Sequence, residues 1–378
     1  SQNPQSALKL IHKALAINSD YVEAHNNLGK LFIELGKLEE AVASYRTALA
    51  IKPDHVEARK NLGMVQLFMG DFQNGWENYN FRWLCDDYAP GYKTYGTPLW
   101  QGAAIDGKSL LVREEQGVGE TILFASMIPD LIERGADIIF ECDKRLILPF
   151  SRSFPSITCV AKDDPDIGNT EDKMFDLHAP LGNGGRWLRA DLASFPTRPS
   201  YLVADSQQRQ TIRKRYLEWG NDLLVGITWH SQSPHYGQQK SMTLDGLRPL
   251  LEVTGITFVN LQYGDTCEER KAFTTETGIE ILHDNGIDQM ADLDMFTSQV
   301  AAMDMVVTIS NTTAHMAGAL GVPTLLLLGT VPIWYWLLER EDSPWYPSLH
   351  LFRQKERGNW QGVVERARNE LAACIGNS

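Results

Sequence analysis

The stretch "DMVVTISNTTAHMAGALGVPTLLLLGT", residues 304–330, decides the fold. "DMVVTIS" and "TLLLLGT" are short continuous apolar runs, and between them lie a polar turn and a segment rich in alanine and glycine. Strands apolar on both faces belong to parallel sheets, and a parallel pair needs a crossover, usually a helix. The stretch therefore reads as strand, helix, strand. Asn311, Thr312 and Thr313 are residue types that cap a helix at its N-terminus, and Ala314, Ala317 and Gly318 let that helix lie close on the sheet. The hydroxyls and first backbone N–H groups of the turn are expected to face a cleft, where the helix dipole favours an anion.

The same alternation extends in both directions. Upstream come "LLVGITW", the helical "TLDGLRPLLEVTG", "TFVNLQYG" and the helical "DQMADLDMFTSQVAAM". Further back, "SLLV" precedes a Gly-rich turn and the helical "TILFASMIPDLIERG", followed by "DIIFECD" and "ITCV". A break rich in Asp, Gly, Asn and Pro at 163–206 separates two such series. We expect an N-terminal Rossmann-like domain at 109–205, a C-terminal Rossmann-like domain at 206–357 and a C-terminal helix at 358–378. Ligands bind at the carboxyl ends of such strands, which brings the turns at 113–120, 230–240, 262–266 and 310–313 toward one cleft.

The first 83 residues follow a different rule. Leu28-Gly29 recurs as Leu62-Gly63, Gly36 as Gly70 and Tyr45 as Tyr79, and Asp20-Tyr21-Val22-Glu23-Ala24 returns as Asp54-His55-Val56-Glu57-Ala58. That offset is the 34-residue period of the tetratricopeptide repeat (TPR), a pair of antiparallel helices. Small residues let the paired helices approach, tyrosine fills the gap, and Pro53 stops one helix before the next. Residues 1–83 are read as TPR helices truncated at the N-terminus, with earlier repeats expected before Ser1, and 84–108 as a linker. Such arrays offer a groove to a protein or peptide.

Composition narrows the function classes. A net charge of −13 argues against nucleic-acid partners, which need a basic face. No apolar run approaches a membrane span and no signal-peptide pattern opens the chain, so a cytoplasmic location is expected. Five scattered cysteines lack metal-type spacing, and neither zinc nor a disulfide framework is expected.

Together these motifs resemble a known group. "SNTTAHMAGALGVPTLLLLGT" is similar to the donor-phosphate motif of heptosyltransferase-like (family 9) GT-B glycosyltransferases, and "EEQGVGETILFASMIPDL" to their N-domain loop. "WYWLLEREDSPWYPSLHLFRQ" and "GNWQGVV" resemble the C-terminal block of the TPR-fused subgroup, which includes bacterial flagellin glycosyltransferases. The resemblance spans nearly the whole chain and implies an α-helical TPR segment followed by an α/β GT-B fold, with two Rossmann-like domains facing a cleft. Two positions depart from the pattern: Asn311 stands where an acid opens the donor motif, and Glu120 where an Asp follows Gly119.

The resemblance implies transfer of a sugar from a nucleotide-sugar donor, with inversion and without a metal or cofactor. Glu120 is then the candidate base, on a loop where Gly117 and Gly119 permit close approach and Gln116 faces acceptor or sugar. Lys240, in "HSQSPHYGQQKS", is the candidate cation for the leaving phosphate, beside Asn311, Thr312, Thr313 and His315. Gln262, Met290, Asp292 and Trp229, beyond strand ends, are the candidate nucleotide contacts, while Trp334, Trp336 and Trp345 read as packing residues. The TPR groove would recruit a protein acceptor such as flagellin. Two alternatives stand beside this: a lipid-linked or surface glycan as acceptor, and a non-catalytic TPR adaptor built on a degenerate transferase.

Overall fold

The computed structural model describes residues 4–88, 91, 93, 95–162, 164, 167, 174–233 and 237–376. Parts of the expected linker and of the 163–206 break, and positions 234–236 in the Lys240 loop, lie outside the described residues. The chain forms two compact units.

The first unit is built on five helices: α1 (Pro4–Ile17), α2 (Val22–Glu34), α3 (Leu38–Ile51), α4 (Val56–Phe68) and α5 (Phe72–Tyr79). The repeated residues explain themselves here. A Cβ on Gly29 would stand 2.6 Å from the Tyr45 ring, and one on Gly63 would stand 2.3 Å from the backbone nitrogen of Tyr79, so only glycine lets each helix pair close. Gly36 and Gly70, at φ of +73° and +83°, follow the ends of α2 and α4 in the left-handed conformation that glycine adopts at least cost.

Residues 182–196 and 331–339, expected in the two Rossmann-like domains, belong to the helical unit. The reason is aromatic surface on the last helix that needs cover. Trp76 sets its ring 5.3 Å from that of Trp334, which also lies 5.7 Å from Tyr79. Trp76 Nε1 donates to the Arg189 carbonyl at 2.8 Å, and Phe72 packs on Phe195. The fully buried guanidinium of Arg82 donates to Asn183 Oδ1 at 2.7 Å and lies over the Tyr79 ring. The expected linker is also divided: residues 97–108 join the second unit, where Leu99 bridges to His178 and Trp100 is buried.

The second unit holds two parallel sheets. In the N-terminal half, β1 (Ser109–Arg113), β2 (Asp137–Cys142), β3 (Thr158–Ala161) and β4 (Leu177–Pro180) run in the order β3-β2-β1-β4. In the C-terminal half, β5 (Leu223–Ile227), β6 (Ile256–Asn260), β7 (Met305–Ile309), β8 (Thr324–Leu328) and β9 (Leu349–Arg353) run β6-β5-β7-β8-β9. Each order reverses at one place, β1/β4 in the first sheet and β5/β7 in the second. At such switch points the loops leave in opposite directions and open a crevice. The 304–330 stretch forms β7, a helix and β8 as read from its sequence. The C-terminal helix packs Val363, Val364, Ala367 and Leu371 into the core of the second half.

Candidate active site

Both switch points send a helix toward the same place. From β1 the chain turns at Gln116, whose φ of +65° is one that non-glycine residues adopt at a cost, and enters α6 (Val118–Ala125) through Gly117. Glu120 lies in the first turn of α6, and its Oε2 would be 3.3 Å from a Cβ at position 117. Glycine there leaves room for the carboxylate to fold back over the helix start.

From β7 the chain enters α7 (Thr312–Leu320) through Asn311. Asn311 is almost fully buried, and both ends of its side-chain amide are hydrogen-bonded. Its Oδ1 accepts from the backbone N–H of Thr313 at 3.0 Å and of Ala314 at 3.4 Å, and from the Thr308 hydroxyl at 3.1 Å. Its Nδ2 donates to Thr228 Oγ1 at 2.9 Å, and the hydroxyls of Thr228 and Thr308 meet at 2.5 Å. Asn311 therefore shapes the turn, its side chain taking up the amides of Thr313 and Ala314. Thr312, the first residue of α7, is partly exposed. Thr313 is fully buried and, among the described residues, its Oγ1 has no hydrogen-bond partner.

Helices α6 and α7 meet at their N-terminal ends. A Cβ on Gly119 would lie 2.9 Å from His315 Cδ2 and 3.7 Å from the Cα of Thr312, so the glycine sets the distance of closest approach. His315 is buried, and burial, then the charge of Lys240, push its pKa down to about 3. It is neutral at ordinary pH, with Nδ1 2.9 Å from the Tyr346 hydroxyl. The Tyr346 ring sits on Gly318, stacks with Tyr201, and the Tyr201 hydroxyl donates to the Ile122 carbonyl on α6 at 2.6 Å. Lys240 ends the short helical turn Gly237–Lys240; burial lowers its pKa and the charge of Glu120 opposes that shift. Glu120, Lys240, His315 and Thr312 therefore form one cluster between the two halves of the unit.

The expected nucleotide contacts are not part of it. Trp229 is fully buried in the core and donates from Nε1 to Glu269 at 3.0 Å, so its ring offers no face to a base. The Gln262 carboxamide oxygen accepts the N–H groups of Trp229 and His230, and its NH2 donates to the Tyr263 carbonyl, which spends the side chain on the exit of β5. Asp292 caps the helix Leu293–Ala301. Met290 is exposed, and its carbonyl accepts from Arg145 of the N-terminal half at 2.6 Å. Sequence reasoning missed Thr228, Thr308, Tyr346 and Arg145. A threonine inside the apolar run "DMVVTIS" was a signal for Thr308; Arg145 carried none.

Helical repeats joined to paired parallel α/β halves, with two helix N-termini converging at the switch points, define a TPR protein with a GT-B fold. Residues 29–70 match the family profile described as TPR repeat. The chain is 32% identical, over 95% of its length, to Protein FlbA of Caulobacter vibrioides, and spans 63% of the length of that relative. Among solved structures, the glycosyl transferase family 9 from Veillonella parvula aligns over 73% of this chain and 98% of its own, with a TM-score of 0.53 and 11% identity. The E. coli ADP-heptose lps heptosyltransferase II aligns over 70% and 98%, with a TM-score of 0.51 and 15% identity. The fold of the second unit is the one these two proteins share. Among the described residues no helix is long and apolar enough to cross a membrane.

Proposed function

We propose that the protein is a glycosyltransferase that moves a sugar from a nucleotide-sugar donor to a protein acceptor, flagellin being the candidate, held by its TPR helices. The observation that carries this reading is the convergence of a carboxylate, a half-buried ammonium and the start of α7 on one spot. A sugar bound there would have its diphosphate against Thr312 and Lys240. The acceptor hydroxyl loses its proton to Glu120 and its oxygen attacks the anomeric carbon. The bond from that carbon to the phosphate oxygen breaks, and its electron pair leaves with the nucleoside diphosphate. Lys240 and the dipole of α7 take up the charge that develops on the leaving oxygen, which supplies the electrostatic term. A single displacement of this kind inverts the anomeric centre, and no resident cofactor enters it. The repeat match supports a protein acceptor over a glycan, since such arrays offer a groove to a peptide or protein.

The test is a thermal-shift and donor-hydrolysis screen of CMP-, UDP-, GDP- and ADP-sugars, followed by mass analysis of flagellin and of glycolipid incubated with the donor that binds. Mass added to flagellin supports the reading; mass added only to glycolipid replaces the acceptor; no donor bound favours the adaptor. Glu120→Gln is expected to retain nucleotide binding and to lose transfer by about a hundredfold or more. Undiminished turnover in that variant removes Glu120 as the base.

A further inference from the structure

We propose that Thr228 and Asn311 act as positioning residues for the donor phosphate, holding the start of α7 open and electrically neutral, and that an acid at 311 would weaken phosphate binding in this chain. The inference rests on the donor-site reading above and deepens it.

The argument is a count of protons. Three contacts join Asn311, Thr228 and Thr308 in a closed ring. The orientation of the amide is fixed, because Oδ1 receives backbone N–H groups and Nδ2 is left facing Thr228. The ring then closes one way: Nδ2 donates to Thr228, Thr228 donates to Thr308, and Thr308 donates to Oδ1, sharing that proton with the Ile309 carbonyl at 3.0 Å. Three contacts use three protons. Aspartate would bring none, and the two hydroxyls alone can fill only two of the contacts. One close oxygen pair would stay unprotonated in a site where both threonines are fully buried, and an unpaired contact of that kind is costly. The carboxylate would add a negative charge one residue from Thr312, where the phosphate charge is to be received, and would itself absorb the helix dipole.

The ring spans β5 and β7, the two strands that flank the switch point, and so ties the exit of one to the turn of the other. A second observation stands at the same turn: the Thr313 hydroxyl is buried on the first turn of α7 with no hydrogen-bond partner among the described residues.

The experiment is calorimetric titration of the full chain with inorganic pyrophosphate, at low and at high salt, for wild type, Asn311→Asp, Asn311→Ser, Thr228→Val and Thr228→Ser. Serine at 311 still caps the helix but lacks the Nδ2 donor, so it separates loss of the ring from gain of charge. Asn311→Asp is expected to bind roughly tenfold more weakly than wild type at low salt, and more weakly than Asn311→Ser, the gap between them narrowing at high salt. Thr228→Val is expected to weaken binding, and Thr228→Ser to restore it. Asn311→Asp binding as tightly as wild type overturns the inference and leaves the donor site standing, as does Thr228→Ser binding no better than Thr228→Val. A wild-type chain that takes up no pyrophosphate overturns both.

Discussion

His315 has no charge to offer and a stability cost to report. Its folded pKa of about 3 lies below the ordinary 6.5, so below pH 6.5 the unfolded chain binds a proton that the folded chain refuses. Stability from this residue is complete above pH 6.5 and drains away as pH falls toward 3. Urea unfolding of wild type and His315→Gln should show the wild type losing more stability between neutral and mildly acidic pH. Parallel losses in both proteins would place the titrating group elsewhere. At this scale the sequence was partly legible. Residue types that cap, turn and carry charge were readable at Asn311, Gly117 and Lys240, but Trp229 and Gln262 were assigned by their place beyond a strand end. Position along the chain does not say which way a side chain points, and both turned inward, to Glu269 and to the β5 exit.

Among the elements, the helix pairs are set by glycines of two kinds. At Gly63 the nearest obstacle to a Cβ is backbone, which cannot yield, whereas at Gly119 it is the edge of the His315 ring. Gly63→Ala is therefore expected to destabilise the protein by about 1–3 kcal/mol, as overpacking in a closed interface does. Gly119→Ala is expected to push α6 from α7, lowering sugar transfer more than melting temperature. Thermal denaturation and a transfer assay on the two variants check the contrast; equal effects on transfer would dismiss the spacing of α6 and α7 as a functional quantity. Strands and repeats were legible because each has a period, two for exposed strands, continuous for buried ones and thirty-four for the repeats. The ring of Asn311, Thr228 and Thr308 has no period, since Thr228 lies 80 residues from Thr308 in the chain, and only the fold brings them together.

Across the molecule, boundaries drawn along the sequence missed the two segments at 182–196 and 331–339 that join the helical unit. Composition marks where a chain changes character; it does not say which surface a loop will cover. Trp334 fills the space beside Trp76 and Tyr79, so Trp334→Ala is expected to cost about 3–5 kcal/mol, read by urea denaturation. A loss below about 1 kcal/mol would mean the ring is not a load on the helical core. The helical unit is thus assembled from three separate passes of one polypeptide, two of them made after the strands have begun. Recombination that lifted only residues 4–96 into another protein would carry the repeats without Arg189, Asn183 and Trp334, and so without the acceptor of the Trp76 indole N–H and the Asn183 acceptor of the Arg82 guanidinium. The surface of these repeats should therefore change by point substitution within the helices, because the array cannot be exchanged as an intact cassette.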